Sequence, residues 1–82
     1  MITPERVEDL LESDAEEPIL VVVAGTAVVV PAAALGTDRY RGAVEVVSRR
    51  DLVARLGTDT ASRRDLEETA ARLDATVAQL GA

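Results

Sequence analysis

The feature that most constrains this chain is an uncharged run of twenty residues, from Pro18 to Thr37. A run of this length can cross a bilayer as one helix, because about 20 apolar residues span the hydrocarbon core. It can also fold back on itself as two neighbouring strands. The first alternative makes the chain a membrane anchor, and the second makes it a small water-soluble domain.

The residue types inside the run favour a β-hairpin. Eight of the twelve residues from 19 to 30 are Val, Ile or Thr, which are typical of strands. Gly25 and Thr26 divide them into two apolar runs, and a Gly at the first central position suits a type II′ turn. Pro31 has no N–H donor and is expected to end the second strand. In neither strand do apolar residues alternate with polar ones. We therefore expect both faces of the hairpin to be buried against other parts of the chain.

A helix is predicted before the hairpin, from about residue 4 to residue 13. Thr3 is a suitable N-cap, and Pro4 occupies the first helical position, where its missing N–H has no cost. Ile2 and Val7 have the spacing of a hydrophobic staple. These signals predict an amphipathic helix that covers part of the sheet.

A third strand and a short helix are predicted after the hairpin. Residues 43–47 are apolar except for Glu45, which suits an edge strand with one wet face. Ser48 is the expected N-cap of the next helix, with Asp51 at capping-box spacing. Gly57 is expected to end this helix.

The last helix has the strongest pattern in the chain. Ser62 and Asp65 have the capping spacing, and the apolar residues that follow are spaced by 4, 3, 4 and 3 positions. These apolar residues are Leu66, Ala70, Leu73, Val77 and Leu80. The pattern permits two interpretations: an amphipathic helix that lies on its own sheet, or a helix that pairs with its copy in a second subunit.

Together these elements predict one small α/β (α+β) domain over residues 1–82, in the order helix, strand, strand, strand, helix, helix. We expect a mixed three-stranded sheet with helices packed on it. A chain of this length buries only about 60% of its unfolded surface. Self-association is a common way to stabilise such a domain, so we expect a homodimer.

Composition argues against several functions. The chain has 15 acidic and 9 basic residues, a net charge of −6, which disfavours nucleic-acid binding. It lacks His, Cys and Lys, so we predict no catalytic residue, no metal site and no cofactor. The use of Arg for every cation, with abundant Ala and Val, suggests a bacterial source. The N-terminus has no basic region typical of a secretory signal, so a cytoplasmic location without a membrane partner is expected.

Two segments, "PILVVVAG" and "GAVEVVSRRDLVARLG", resemble the trailing strands of nuclease-related (NERD) and Mrr-type domains of the restriction-endonuclease-like fold. The similarity covers residues 18–56. It implies a detached or degenerate piece of such a fold, because the family's metal-binding carboxylates and Lys belong to preceding strands that this chain lacks.

The candidate binding residues form a basic cluster with one aromatic residue: Arg39, Tyr40, Arg41, Arg49 and Arg50. They could bind a phosphate or an acidic partner, or they could only balance the acidic surface in weak ion pairs. We therefore predict a small non-enzymatic interaction or oligomerisation module. The alternatives are a phosphate- or ligand-binding regulatory module that uses the Arg cluster, and a nuclease-like accessory fragment.

Overall fold

The computed structural model describes residues 2–58 and 60–79 and confirms the predicted α+β fold and element order. The bounds of the helices and strands are α1 Pro4–Glu12, β1 Pro18–Val23, β2 Thr26–Pro31, β3 Val44–Ser48, α2 Arg49–Leu56 and α3 Arg63–Gln79. Two short 3₁₀ helices, Ala32–Gly36 and Asp38–Tyr40, lie between β2 and β3.

The uncharged run forms an antiparallel hairpin. β1 and β2 pair over their whole length, from Pro18 opposite Pro31 to Val23 opposite Thr26. Among the helices of residues 2–58 and 60–79, none is long and apolar enough to cross a membrane.

The turn of the hairpin lies one residue earlier than predicted. Ala24 and Gly25 are its central residues, and both have positive φ, 52° and 77°, which is the signature of a type I′ turn. The prediction of a type II′ turn at Gly25 and Thr26 is therefore wrong, and Thr26 begins β2.

The two prolines explain this choice of turn. In an antiparallel hairpin with a two-residue loop, every second residue pair exchanges hydrogen bonds, beginning with the pair that flanks the loop. A loop at Gly25 and Thr26 would place Pro31 in such a pair, where its missing N–H would cost a ladder bond. In the observed register Pro18 and Pro31 face each other at a pair that needs no N–H donor.

The sheet has the order β2-β1-β3, and both of its ladders are antiparallel. β2 and β3 therefore run in the same direction, but β1 separates them, so the sheet that we expected to be mixed has no parallel ladder. The β1–β3 ladder is irregular between Leu20 and Val21, because Leu20 pairs with Val47 while Val21 pairs with Glu45. Val46 is thus an extra residue, and β3 is bulged there.

Helices α1, α2 and α3 cover one face of the sheet. Alternate residues of each strand point to this face, and they join side chains of the helices in a single core. The sheet contributes Leu20, Val22, Ala27 and Val47, and α1 contributes Val7 and Leu10.

The opposite face of the sheet is also covered. Val21 and Val30 point away from that core, yet only 0% and 3% of their surface is exposed. Because β2 and β3 run parallel, the chain between them must travel the length of the sheet to start β3 at the correct end. We infer that this crossover, residues 32–43, lies on the second face and buries Val21 and Val30.

The apolar face of α3 is buried within its own chain. Leu66, Ala70, Leu73 and Val77 belong to the core that α1 and the sheet also form. Leu80 lies outside the described residues. The helix therefore packs as in the first of the two interpretations, and pairing of this face with a second subunit would require the core to open.

Candidate functional site

The structure splits the predicted basic cluster into two groups. Arg39, Tyr40 and Arg41 precede β3, whereas Arg49 and Arg50 follow it as the first residues of α2. At about 3.3 Å per residue, the five-residue strand holds the two groups on the order of 13 Å apart. The five residues therefore do not form one binding site.

The first group is engaged in local contacts. The guanidinium carbon of Arg39 lies 5.6 Å from the ring centroid of Tyr40, which is within the range of a cation–π contact. Arg41 Nη2 lies 2.8 Å from Asp38 Oδ1, and these two side chains are 82% and 92% exposed. An ion pair with such exposure contributes little to stability, so this group is a solvated surface loop.

The second group borders a cavity of about 490 Å³, which we call the basic cavity. It lies where β1 begins, β2 ends and β3 passes into α2. Its lining combines apolar residues with two arginines and one acid: Glu17, Pro18, Ile19, Ala32, Ser48, Arg49, Arg50 and Val53.

The two arginines of the basic cavity differ in their contacts. Arg49 is half-buried, and its Nη1 donates a hydrogen bond of 2.7 Å to the main-chain oxygen of Ser13. Arg50 is exposed and has no ion pair in the described part of the chain. Arg49 therefore links the start of α2 to the segment before β1, whereas the guanidinium of Arg50 is exposed and can contact a partner.

The N-terminus of α2 is satisfied by its own residues. The Ser48 hydroxyl accepts a hydrogen bond of 3.1 Å from the Asp51 N–H, as the capping pattern predicts. The Asp51 carboxylate lies in the first turn, where negative charge complements the helix dipole. The helix start by itself is therefore not a free anion site.

A second depression, the acidic cavity, adjoins the first. It has a volume of about 290 Å³, and Ile19 and Ser48 border both cavities. The remaining lining residues are Glu45, Val46, Val47 and Asp51. The two cavities therefore share a border at Ile19 and Ser48, and their linings carry charges of both signs: Glu17, Arg49 and Arg50 in the first, Glu45 and Asp51 in the second.

Sequence reasoning identified the arginines of this surface but missed its other half. The local sequence pattern around Glu45 indicates only an edge strand, and the pattern around Ile19 indicates only the hairpin. The pairing of β1 with β3 is what brings them together, because it places Ile19 opposite Ser48, beside the start of α2. That pairing joins residues 29 positions apart in the chain, beyond the reach of a local pattern.

The shifted pKa values belong to contacts between the N-terminal segment and α3. The main-chain N–H of Ile2 donates a hydrogen bond of 3.0 Å to Asp74 Oδ1 and lowers the pKa of Asp74. Arg63 Nη1 lies 3.0 Å from Glu5 Oε2, and this hydrogen bond lowers the pKa of Glu5. None of these four residues lines either cavity, so the shifted pKa values do not belong to the candidate site.

Comparison of the chain with protein-family models, with curated proteins and with solved structures finds no match. The resemblance of residues 18–56 to NERD and Mrr-type domains therefore stays a prediction. Within residues 2–58 and 60–79, no group of three or more acidic, His or Cys side chains is arranged to hold a metal ion.

Proposed function

We propose that this chain is a small non-enzymatic interaction module that self-associates through the surface formed by the basic and acidic cavities. The observation that supports it is the position of Ile19, which is half-buried and borders both depressions, whose linings carry exposed charges of both signs. The bacterial, cytoplasmic setting expected from the sequence is part of the same proposal.

The composition of this surface suits an interface. Specific interfaces combine an apolar centre with a polar rim. Here Ile19, Val46 and Val53 are half-buried and supply apolar area at the centre. Arg50 and Glu45 are exposed at the rim, where charges direct the orientation and the rate of association.

The last helix is a weaker candidate for self-association. Its apolar residues from Leu66 to Val77 are buried in the core of their own chain. Using them between subunits would first expose that core to water, at a cost of about 25 cal/mol for each Å² of apolar surface. Association through the surface around Ile19 does not require the core to be exposed.

Sedimentation equilibrium of the wild type from about 5 µM to about 500 µM tests this proposal, because the range brackets micromolar dimers. We expect the average mass to rise with concentration. Val53→Asp places a carboxylate on the apolar part of the basic cavity and should keep the chain monomeric. Ala54→Asp adds the same group at the next, exposed position of α2 and serves as the control. A wild type that is monomeric throughout the range contradicts the proposal.

A second candidate function is anion binding by a regulatory module. The observation that favours it is that Arg49 and Arg50 line one cavity with an apolar wall, since arginine binds phosphate and carboxylate groups well. Thermal unfolding with inorganic phosphate tests it. The unfolding temperature should rise for the wild type and for Arg39→Gln, which lies outside the cavity, but not for Arg50→Gln. No rise in the wild type rejects this candidate.

A further inference from the structure

We propose that the basic cavity binds a small aliphatic monocarboxylate, whose carboxylate pairs with Arg49 and whose carbon chain lies against the apolar side of the cavity. This inference goes beyond both candidate functions above, because it names a ligand class and assigns the charge of the ligand to Arg49 rather than to Arg50. It requires neither self-association nor phosphate binding.

Arg49 is a partly buried cation without a counter-ion. Among the described residues it is the only arginine that is not exposed, and it forms no ion pair there. Its hydrogen-bond partner is a neutral carbonyl, the main-chain oxygen of Ser13. A guanidinium has several N–H donors, and this bond uses one of them. A charge that has lost part of its hydration is usually paired in proteins, so the remaining donors suit an anion.

The charges of the lining favour a ligand with a single negative charge. Arg49, Arg50 and Glu17 border the cavity, so two cations and one anion leave a formal charge of +1. The whole chain has a net charge of −6, which repels multiply charged anions such as phosphate. A carboxylate carries one charge at neutral pH, and it pairs with a guanidinium through two parallel hydrogen bonds.

The apolar half of the lining comes from three parts of the chain. Pro18 and Ile19 belong to β1, Ala32 follows β2, and Val53 lies in α2. Pro18 is fully buried, and the other three are half-buried. An aliphatic chain in the cavity would remove this surface from water, which is favourable in proportion to the apolar area. The volume of about 490 Å³ is within the usual range for small-molecule sites, and an inorganic anion would not cover the apolar side.

Matched small molecules test the ligand class. NMR spectra of the wild type follow the amide signals of Ala32, Arg49 and Val53 during titration with hexanoate, and these signals should shift and saturate. The dissociation constant should be at least about tenfold lower than for 1-hexanol, which has the same carbon chain without the charge. It should also be at least about tenfold lower than for acetate, which has the charge without the chain. Equal affinity for either control overturns the inference, as does a titration that shows no saturation up to about 20 mM hexanoate.

Substitutions test the role of Arg49. Arg49→Gln should weaken hexanoate binding by at least about tenfold, whereas Arg50→Gln should weaken it by less than about threefold. Val53→Asp places a carboxylate on the apolar side and should abolish binding. Ala54→Asp, at the next and exposed position, is the matched control and should bind as the wild type does. An R49Q variant that binds like the wild type, or an R50Q variant that does not bind, overturns the inference.

Because Arg49 also holds Ser13, circular dichroism must show that each variant is folded. If R49Q is unfolded, the comparison of hexanoate with hexanol is repeated on R50Q. A preference for hexanoate that persists in R50Q supports Arg49, and a preference that disappears overturns the inference. The outcome is separate from that of the proposed function. A monomeric wild type that binds hexanoate rejects self-association and leaves this inference intact, whereas a self-associating wild type that does not bind hexanoate has the reverse meaning.

Discussion

Arg49 Nη1 donates a hydrogen bond of 2.7 Å to the main-chain oxygen of Ser13, 36 residues earlier in the chain. This bond joins the start of α2 to the loop between α1 and β1. It also fixes the wall of the basic cavity, because Arg49 lines that cavity and its guanidinium is held in place. The neighbouring Arg50 has no such bond and lies exposed at the surface. Two adjacent arginines therefore have different roles.

Alanine substitutions should separate these roles. Arg49→Ala should lower the free energy of unfolding by about 2 kcal/mol, because a half-buried hydrogen bond from a charged group is lost. Arg50→Ala should change it by less than about 0.5 kcal/mol, as is usual for an exposed side chain. Urea unfolding of both variants at a concentration where the chain is monomeric measures the difference. Equal effects would contradict the assignment.

The turn residue Ala24 offers a stabilising substitution. A residue with a Cβ at a φ of 52° is strained, and Asn tolerates this conformation better than Ala. Ala24→Asn also creates the Asn-Gly sequence that type I′ turns prefer, so the free energy of unfolding should rise by about 1 kcal/mol. Chemical denaturation measures it, and no gain would argue against a type I′ turn.

Gly25→Ala is the opposite test of the same turn. Gly25 has a φ of 77°, and no atom lies within 4 Å of an added Cβ. The substitution should therefore act through the backbone conformation alone and lower the free energy of unfolding by about 1 kcal/mol. A neutral substitution would show that the turn adopts another conformation in solution.

Leu73 tests whether α3 packs within its own chain. Its side chain is 3% exposed, so Leu73→Ala should leave a cavity and lower the free energy of unfolding by about 2–5 kcal/mol, even in a monomer. Arg72→Ala, at the exposed neighbouring position, is the control and should be nearly neutral. If L73A unfolded like the wild type but lost a dimer, the helix would pair between subunits instead.

The hydrogen bond at Asp74 predicts that the free energy of unfolding depends on pH. The hydrogen bond from Ile2 lowers the pKa of Asp74 below its usual 3.8, so the folded state favours the charged carboxylate. A lowered pKa stabilises the fold above the unfolded value, and this stabilisation is lost as the pH falls through the folded value. Unfolding free energies measured from about pH 6 down to about pH 3 should therefore decline less for Asp74→Asn than for the wild type.

Glu68→Gln is the matched control for this experiment. It removes one carboxylate from the same helix, where Glu68 pairs with Arg64 on the exposed surface. Its pH profile should follow the wild type more closely than that of Asp74→Asn. Parallel profiles for all three proteins would show that the bond between Ile2 and Asp74 contributes nothing in solution.

Local signals in the sequence determined where the helices begin and where several elements end. Thr3, Ser48 and Ser62 accept hydrogen bonds from N–H groups three residues later, as the capping patterns predict. Gly57 ends α2 with a φ of 75°. Each signal depends only on atoms within about one helical turn, so the residues alone suffice to predict it.

The tertiary structure alone decided the register of the hairpin, the burial of α3 and the composition of the candidate site. The type of turn follows from the pairing of Pro18 with Pro31. The pairing of Ile19 with Ser48 brings the linings of the two cavities together. These relations join residues far apart in the chain. Their energies come from packing and hydrogen bonds that exist only once the whole sheet and its helices have assembled.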